Sequence, residues 1–301
     1  MIELTHLHKK FGARTAVGDL TLAVPAGEIF GLLGHNGAGK STTIGMMLGQ
    51  VWPTSGAARV CGFDVATQRA RALKKVGAIF EAPAFYDYLS GWRNLEILSH
   101  YTAPTSKQRI QEVVDWVGLT GREHGHVRTY SHGMRARLAL AQALLPQPEL
   151  LILDEPGSGL DPEGIAEMRH IILRLHRELR LTILLSSHLL TEVEQLCSRI
   201  AVLHRGEKVF DGTIAEVKAT RGRVALRTRD FNAAVALLRK QDLILDSDGT
   251  EQLRLKDGVA IADIARVLVQ AGHDVSGLWG REQTLEDFYL QLVKAAPNPS
   301  N

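Results

Sequence analysis

Gly34-His35-Asn36-Gly37-Ala38-Gly39-Lys40-Ser41 decides how the rest of the chain is read. It matches G-x-x-x-x-G-K-[ST], whose glycines let successive backbone N–H groups turn inward around phosphate oxygens. In such a loop Lys40 stands beside the β- and γ-phosphates of a nucleotide. The Ser41 hydroxyl ligates Mg²⁺, Thr42 belongs to the same nucleotide-binding stretch, and the start of the next helix adds favourable potential. The bland alternative is a glycine-rich turn. With glycine near 7% of residues, only about 0.01 chance matches are expected in a chain this long. The flanks also agree: Ile29 to Leu33 reads as a buried strand, and a helix follows from Gly39 to Leu48.

Outward from the loop, strands and helices alternate. Leu20, Leu22 and Val24 alternate with polar or small residues, so the N-terminal stretch reads as short strands ended by Pro25-Ala26-Gly27. Val76 to Phe80, Leu150 to Leu153 and Thr182 to Leu185 read as further apolar strands. Ser106, Ser131 and Asp161-Pro162 open helices, the last running to about Leu179. This alternation predicts an α/β fold with a parallel sheet. The pattern restarts after Thr220-Arg221-Gly222. Domains are therefore expected at 1–220 and 221–301, the second a small α/β domain. Its reading is a strand (Arg223 to Thr228), a helix (Phe231 to Arg239), two strand-like stretches, a helix (Ile261 to Ala271) and a last helix after Thr284.

Composition bounds the classes. With 45% hydrophobic and 23% charged residues, the bulk of 301 residues is globular. A net charge of +2 gives no general field for nucleic acid, and no nucleic-acid partner is expected. No apolar run approaches a membrane span, and Met1 to Thr5 does not begin a signal peptide, so any spanning must fall to another chain. Two cysteines, Cys61 and Cys197, fit a reducing cytosol.

Leu150-Leu151-Ile152-Leu153-Asp154-Glu155 puts carboxylates at the end of a buried strand, the sheet edge where ligands bind in such folds. Asp154 can hold Mg²⁺ through water, and Glu155 can polarise an attacking water.

With Glu81, Tyr130-Ser131-His132-Gly133-Met134, Ser158-Gly159-Leu160-Asp161 and Ser187-His188 following in order, residues 1 to 220 resemble the ATPase subunits of ABC transporters. The resemblance implies a P-loop NTPase fold with a RecA-like parallel core, an antiparallel β subdomain and a helical subdomain. It implies ATP and Mg²⁺ as ligands, and a dimer sandwiching two ATP molecules. In that arrangement Ser131, Gly133 and Met134, the signature segment, and Asp161, in the loop crossing the interface, act on the nucleotide of the other copy. His132 and Met134 replace the usual glycine and glutamine of that segment. The alternative for Ser131 is that it merely caps a helix; Asp161 can cap its helix and cross the interface at once. His188, one of twelve histidines, matches the switch histidine beside the γ-phosphate, and Phe11 the aromatic that stacks on adenine; a core Phe at a strand end is the alternative.

Most of this family carries Gln where Glu81 stands, as a ligand toward Mg²⁺ and the attacking water. A branch with Glu there exports or protects against peptide antibiotics such as lantibiotics and bacitracin, and Pro83 to Gly91 is similar to that branch. A tolerated polar exchange is the bland reading of Glu81. The C-terminal domain resembles the appendage of ABC-2 type exporter ATPases. Thr284 and Asp287 read as a variant capping box, with Phe288, Leu292 and Leu285 toward the core.

The expectation is an ATPase subunit, peripheral on the cytoplasmic face of the membrane, driving an exporter with separate permease chains. The loop Glu81 to Gly91 and the helix near Trp92 to Tyr101, with exposed Phe85, Tyr86 and Tyr88, would receive the permease. The alternative is a soluble ATPase acting on ribosomes or DNA. Such proteins usually carry two cassettes or a long coiled coil, whereas this chain has one phosphate loop and no long heptad region.

Overall fold

Continuous apolar runs become buried strands in the computed structural model, which describes residues 1–80, 84–102, 105–219, 223–256, 258–281 and 284–295. The chain forms two compact units, Met1–Gly212 and Thr213–Ala295. The first runs β1 (Ile2–Phe11), β2 (Arg14–Val24), β3 (Ile29–Leu33), α1 (Lys40–Met47), β4 (Ser55–Val60), β5 (Phe63–Asp64), α2 (Val65–Ala72) and β6 (Val76–Ile79). It continues with α3 (Gly91–Thr102), α4 (Lys107–Trp116), α5 (His132–Leu144), β7 (Leu150–Asp154), α6 (Pro162–Leu179), β8 (Thr182–Ser187), α7 (Leu190–Leu196), β9 (Arg199–His204) and β10 (Glu207–Thr213).

Among the described residues these strands form a six-stranded sheet, β10-β9-β3-β8-β7-β6, and a four-stranded sheet, β2-β1-β4-β5. In the larger sheet β6, β7, β8, β3 and β9 are all parallel neighbours. The register sets Leu32 and Asp154 on either side of Ser186, so the carboxyl ends of β3, β8 and β7 lie abreast. That edge is where a doubly wound sheet binds its ligand. The antiparallel sheet shares one apolar core with it: Leu4, Leu20 and Leu22 pack with Phe30, Leu32, Ile44, Met47, Leu150 and Leu184.

The N-terminal strands are longer than the expected short ones, at 10 and 11 residues. Irregular pairing broke their alternation: His6 and Asp19 both take positive φ, 47° and 44°, and meet through Nδ1 and Oδ1 at 2.7 Å. α3, α4 and α5 pack on one another as a helical layer. Ser106 and Ser131 each cap their helix, accepting from the backbone N–H of Arg109 and Met134.

The second unit holds α8 (Ile214–Ala219), β11 (Arg223–Thr228), α9 (Phe231–Lys240), β12 (Ile244–Ser247), β13 (Gln252–Leu255), α10 (Ile261–Gln270), β14 (Val275–Arg281) and α11 (Leu285–Ala295). From β11 to β14 this is a split β-α-β-β-α-β unit with sheet order β12-β13-β11-β14. Val224, Leu226, Leu253 and Leu255 pack with Leu238, Ile264 and Leu268 of its helices. β14 escaped the sequence reading because Gly277 and Gly280 dilute its apolar alternation. The capping box at α11 is half formed. The N–H of Asp287 donates to Thr284 Oγ1, but the Asp287 carboxylate accepts from the same hydroxyl instead of from a backbone N–H. Leu285 and Phe288 are buried, and Leu292 is half-buried.

Candidate functional site

The loop between β3 and α1 is shaped by its neighbours. Gly39 has φ 104°, and a Cβ there would stand 2.6 Å from the carbonyl oxygen of Ala16. A Cβ on Gly34 would stand 2.5 Å from the Leu203 carbonyl oxygen and 2.8 Å from Ala38 Cβ. Only glycine lets the chain pass this close to β2 and β9. Thr43 Oγ1 donates to the Gly39 carbonyl at 2.8 Å, locking the start of α1. Lys40 is buried, 5% exposed, and its Nζ donates to the Gly34 carbonyl at 2.7 Å across the loop.

Beside the loop lies a cavity of about 390 Å³. It brings together Phe11, Asn36, Gly37, Gly39, Lys40, Ser41, Thr42 and Glu155 of the residues singled out from sequence. Gly34 and Ala38 are buried in the loop itself, and His35 turns its ring edge-on to His204, centroids 5.2 Å apart. Phe11 is 51% exposed with the Lys9 ammonium 4.7 Å over its ring, so it is no core residue. Arg14 also lines the cavity and was missed by the sequence reading. Its only signal was a cation three residues after Phe11.

Glu155 follows β7 with φ 50°, an uncommon value for a side chain of this kind. Its backbone N–H is held by the Ser186 carbonyl at 3.2 Å and by Ser186 Oγ at 3.0 Å. The same hydroxyl donates to Asp154 Oδ1. Ser186 thus ties the Asp154 carboxylate and the Glu155 backbone to the adjoining strand; a serine pair ending a buried strand before His188 was its one sequence signal. The Glu155 carboxylate is held at both oxygens: Oε1 lies 3.2 Å from Lys40 Nζ, and Oε2 lies 2.6 Å from His188 Nδ1. A base, an ammonium and an imidazole therefore converge on one side of the phosphate loop. They can polarise a water and stabilise growing negative charge.

Ser131, Gly133 and Asp161 gather elsewhere. They line a second cavity of about 480 Å³ with His132, Arg137 and Glu167, and it shares no lining residue with the first. Met134 is half-buried and does not line it. Asp161 caps α6, accepting from the Gly164 N–H at 2.9 Å.

Glu81 lies outside the described residues. In the neighbouring loop Tyr86 and Tyr88 are exposed, ring centroids 6.1 Å apart. Phe85, expected exposed, is half-buried. Buried Asn94 exchanges hydrogen bonds with the backbone of Tyr86 and draws this stretch onto α3.

Asp154, 9% exposed, and the exposed Ser41 hydroxyl suit Mg²⁺, which takes one or two protein oxygens and otherwise phosphate and water. No cluster of three or more His, Cys, Asp or Glu side chains forms among the described residues. No helix among them is long and apolar enough to cross a membrane.

Comparison with known proteins points the same way. The ABC transporter family profile matches residues 17–158. An uncharacterized ABC transporter ATP-binding protein of Bacillus subtilis, YhcH, is 38% identical over 97% of this chain and 96% of its own. The bacitracin transport ATP-binding protein BcrA of Enterococcus faecalis is 37% identical over 97% and 96%. In fold, the chain is similar to an ATP-binding cassette dimer in a post-hydrolysis state bound to ADP and Pi. That likeness has a TM-score of 0.64 and 21% identity, and covers 71% of this chain and 99% of that one.

Proposed function

The chain belongs to the ABC transporter family of ATPases, and from that premise we propose that it hydrolyses ATP between two copies to power an exporter with separate membrane-spanning subunits. The observation that carries this is the Glu155 carboxylate held between Lys40 and His188 beside the phosphate loop. In this reading Phe11 stacks on the adenine, and Asn36 to Thr42 with buried Gly34, His35 and Ala38 form the phosphate cradle. Lys40 binds the β- and γ-phosphates. Glu155 takes a proton from the attacking water as it adds in line to the γ-phosphorus, and His188 steadies the charge on the phosphoryl oxygens. Mg²⁺, when bound, supplies charge neutralisation at the phosphates; Ser41, Asp154 and Glu81 would hold it.

Two cavities with separate linings support the shared site. Ser131, Gly133, Met134 and Asp161 would close over the nucleotide held by the other copy, and the positive end of α5 would face its γ-phosphate. The exposed Tyr86 and Tyr88, with α3, would receive a cytoplasmic segment of the permease and keep the subunit at the inner membrane face. The named activity of BcrA supports a peptide-antibiotic or similarly amphipathic cargo.

The test is fractionation of tagged full-length protein in cells with and without its candidate permease, with ATPase activity followed in both. Recovery in the membrane fraction only with the permease is expected. Recovery with ribosomes or DNA would overturn the reading in favour of a soluble ATPase.

A further inference from the structure

Glu192 stands in the first turn of α7, four residues after His188, and does not line the nucleotide cavity. Its carboxyl is pressed against the backbone of Gly157: a Cβ built there would lie 2.8 Å from Oε1 and 2.9 Å from Oε2. Oε1 is buried without a hydrogen-bond partner among the described residues. Burial first, then the Glu155 charge, push this carboxyl above the ordinary range, while His188 and Arg169 pull it down. A helix-start glutamate needs only to face the first turn from solvent. That role explains neither the burial nor the seat on Gly157.

The seat lies at the middle of a short, tied segment. The Ser158 N–H donates to the Glu155 carbonyl at 3.0 Å, and the Leu160 N–H to the Gly157 carbonyl at 3.3 Å. Gly157 thus lies inside a turn closed between Glu155 and Ser158, and its own carbonyl is bonded to the residue before Asp161. α7 is itself tied to α6 through Arg169 and Gln195.

We propose that Glu192 is a positioning residue for hydrolysis, its carboxyl seated on Gly157 to hold the segment Glu155–Asp161 in register with His188. The proposal rests on the role of Glu155 given above. Its consequence is that the Glu155 carboxylate, the His188 imidazole and the Asp161 loop move together rather than separately.

Gly157 offers a test that leaves Glu192 in place. Its φ is not positive, so alanine suits the backbone there, and the nearest atoms that the added methyl meets are those of the Glu192 carboxyl. The experiment measures kcat and KM for MgATP on the full chain for Glu192→Ala, Glu192→Gln, Gly157→Ala and the Glu192→Ala/Gly157→Ala pair. Glu192→Ala and Gly157→Ala should each lower kcat about tenfold with KM within about twofold, since a misplaced group loses rate rather than binding. Glu192→Gln, equal in size, should stay within about threefold of the parent. The pair should be no worse than either single variant, because both remove one contact. Parent-like kcat in Glu192→Ala, or an additive pair, would overturn the proposal. If Glu192→Ala fails to fold, Gly157→Ala decides, and parent-like kcat there overturns it. Glu155→Gln runs alongside: turnover in that variant would sink the assignment of Glu155 itself, a separate failure.

Discussion

At Lys40 a nearly buried ammonium sits between the Gly34 carbonyl and the Glu155 carboxylate. Both contacts are short and the side chain is buried, so it is pre-aimed into the cavity at little entropic cost. Lys40→Ala removes a charge-assisted contact worth roughly 1.5–3 kcal/mol. MgATP affinity should fall about 10- to 100-fold in a fluorescence or calorimetric titration, and unchanged affinity would remove the phosphate-loop reading. Glu155→Gln is the opposite case. Glutamine fills the same space and can still meet Lys40 and His188, but it is no base for water. Binding should be retained while steady-state turnover drops by about 10²-fold or more. A parent-like rate would show that another group activates the water.

Among the elements, α5 ties the Ser131–Met134 segment to the sheet. Ser131 caps its first turn, while its last turn passes over β6 so closely that a Cβ on Gly77 would stand 2.1 Å from the Ala143 carbonyl oxygen. That neighbour is backbone and cannot swing aside. Gly77→Ala should therefore destabilise by roughly 1–3 kcal/mol through overpacking. A thermal melt should show a midpoint lower by about 2–4 °C per kcal/mol. An unshifted midpoint would mean that helix and sheet separate freely here. Such a close approach cannot be read from Val76-Gly77-Ala78-Ile79, since a strand glycine signals a near neighbour without naming it. What was legible at this scale had a local cause: Leu150 to Leu153 is apolar throughout, and Ser106, Ser131 and Asp161 are capping residues before apolar periodicity. β14 was illegible because its stability comes from pairing with β11 and not from its own composition.

For the molecule as a whole, the linear motifs named the parts of the site, and the fold shows which parts one copy brings together. Lys40, Glu155 and His188 come from three places in the sequence and meet because β3, β7 and β8 end abreast. Ser186 carried only the weak signal of a serine just before His188, since its role depends on that register and its residue type is common. Ser131, Gly133 and Asp161 meet one another in a different cavity from the one Lys40 lines. If these residues act on nucleotide, a second copy must supply the other half of the site. ATP should then drive association, and blocking hydrolysis should make the dimer persist. Glu155→Gln protein in saturating MgATP should elute as a dimer by light scattering, and as a monomer once nucleotide is removed. Adding Ser131→Arg should abolish that dimer while leaving each copy's own ATP binding near the parent value. Ser131 is exposed and lines the second cavity rather than the first, and a bulky guanidinium there would meet Lys40 of the other copy as like charge against like charge. A Glu155→Gln protein that stays monomeric with MgATP, both alone and beside its membrane partner, would refute the shared site. Dimerisation that survives Ser131→Arg would place the contact elsewhere on the molecule.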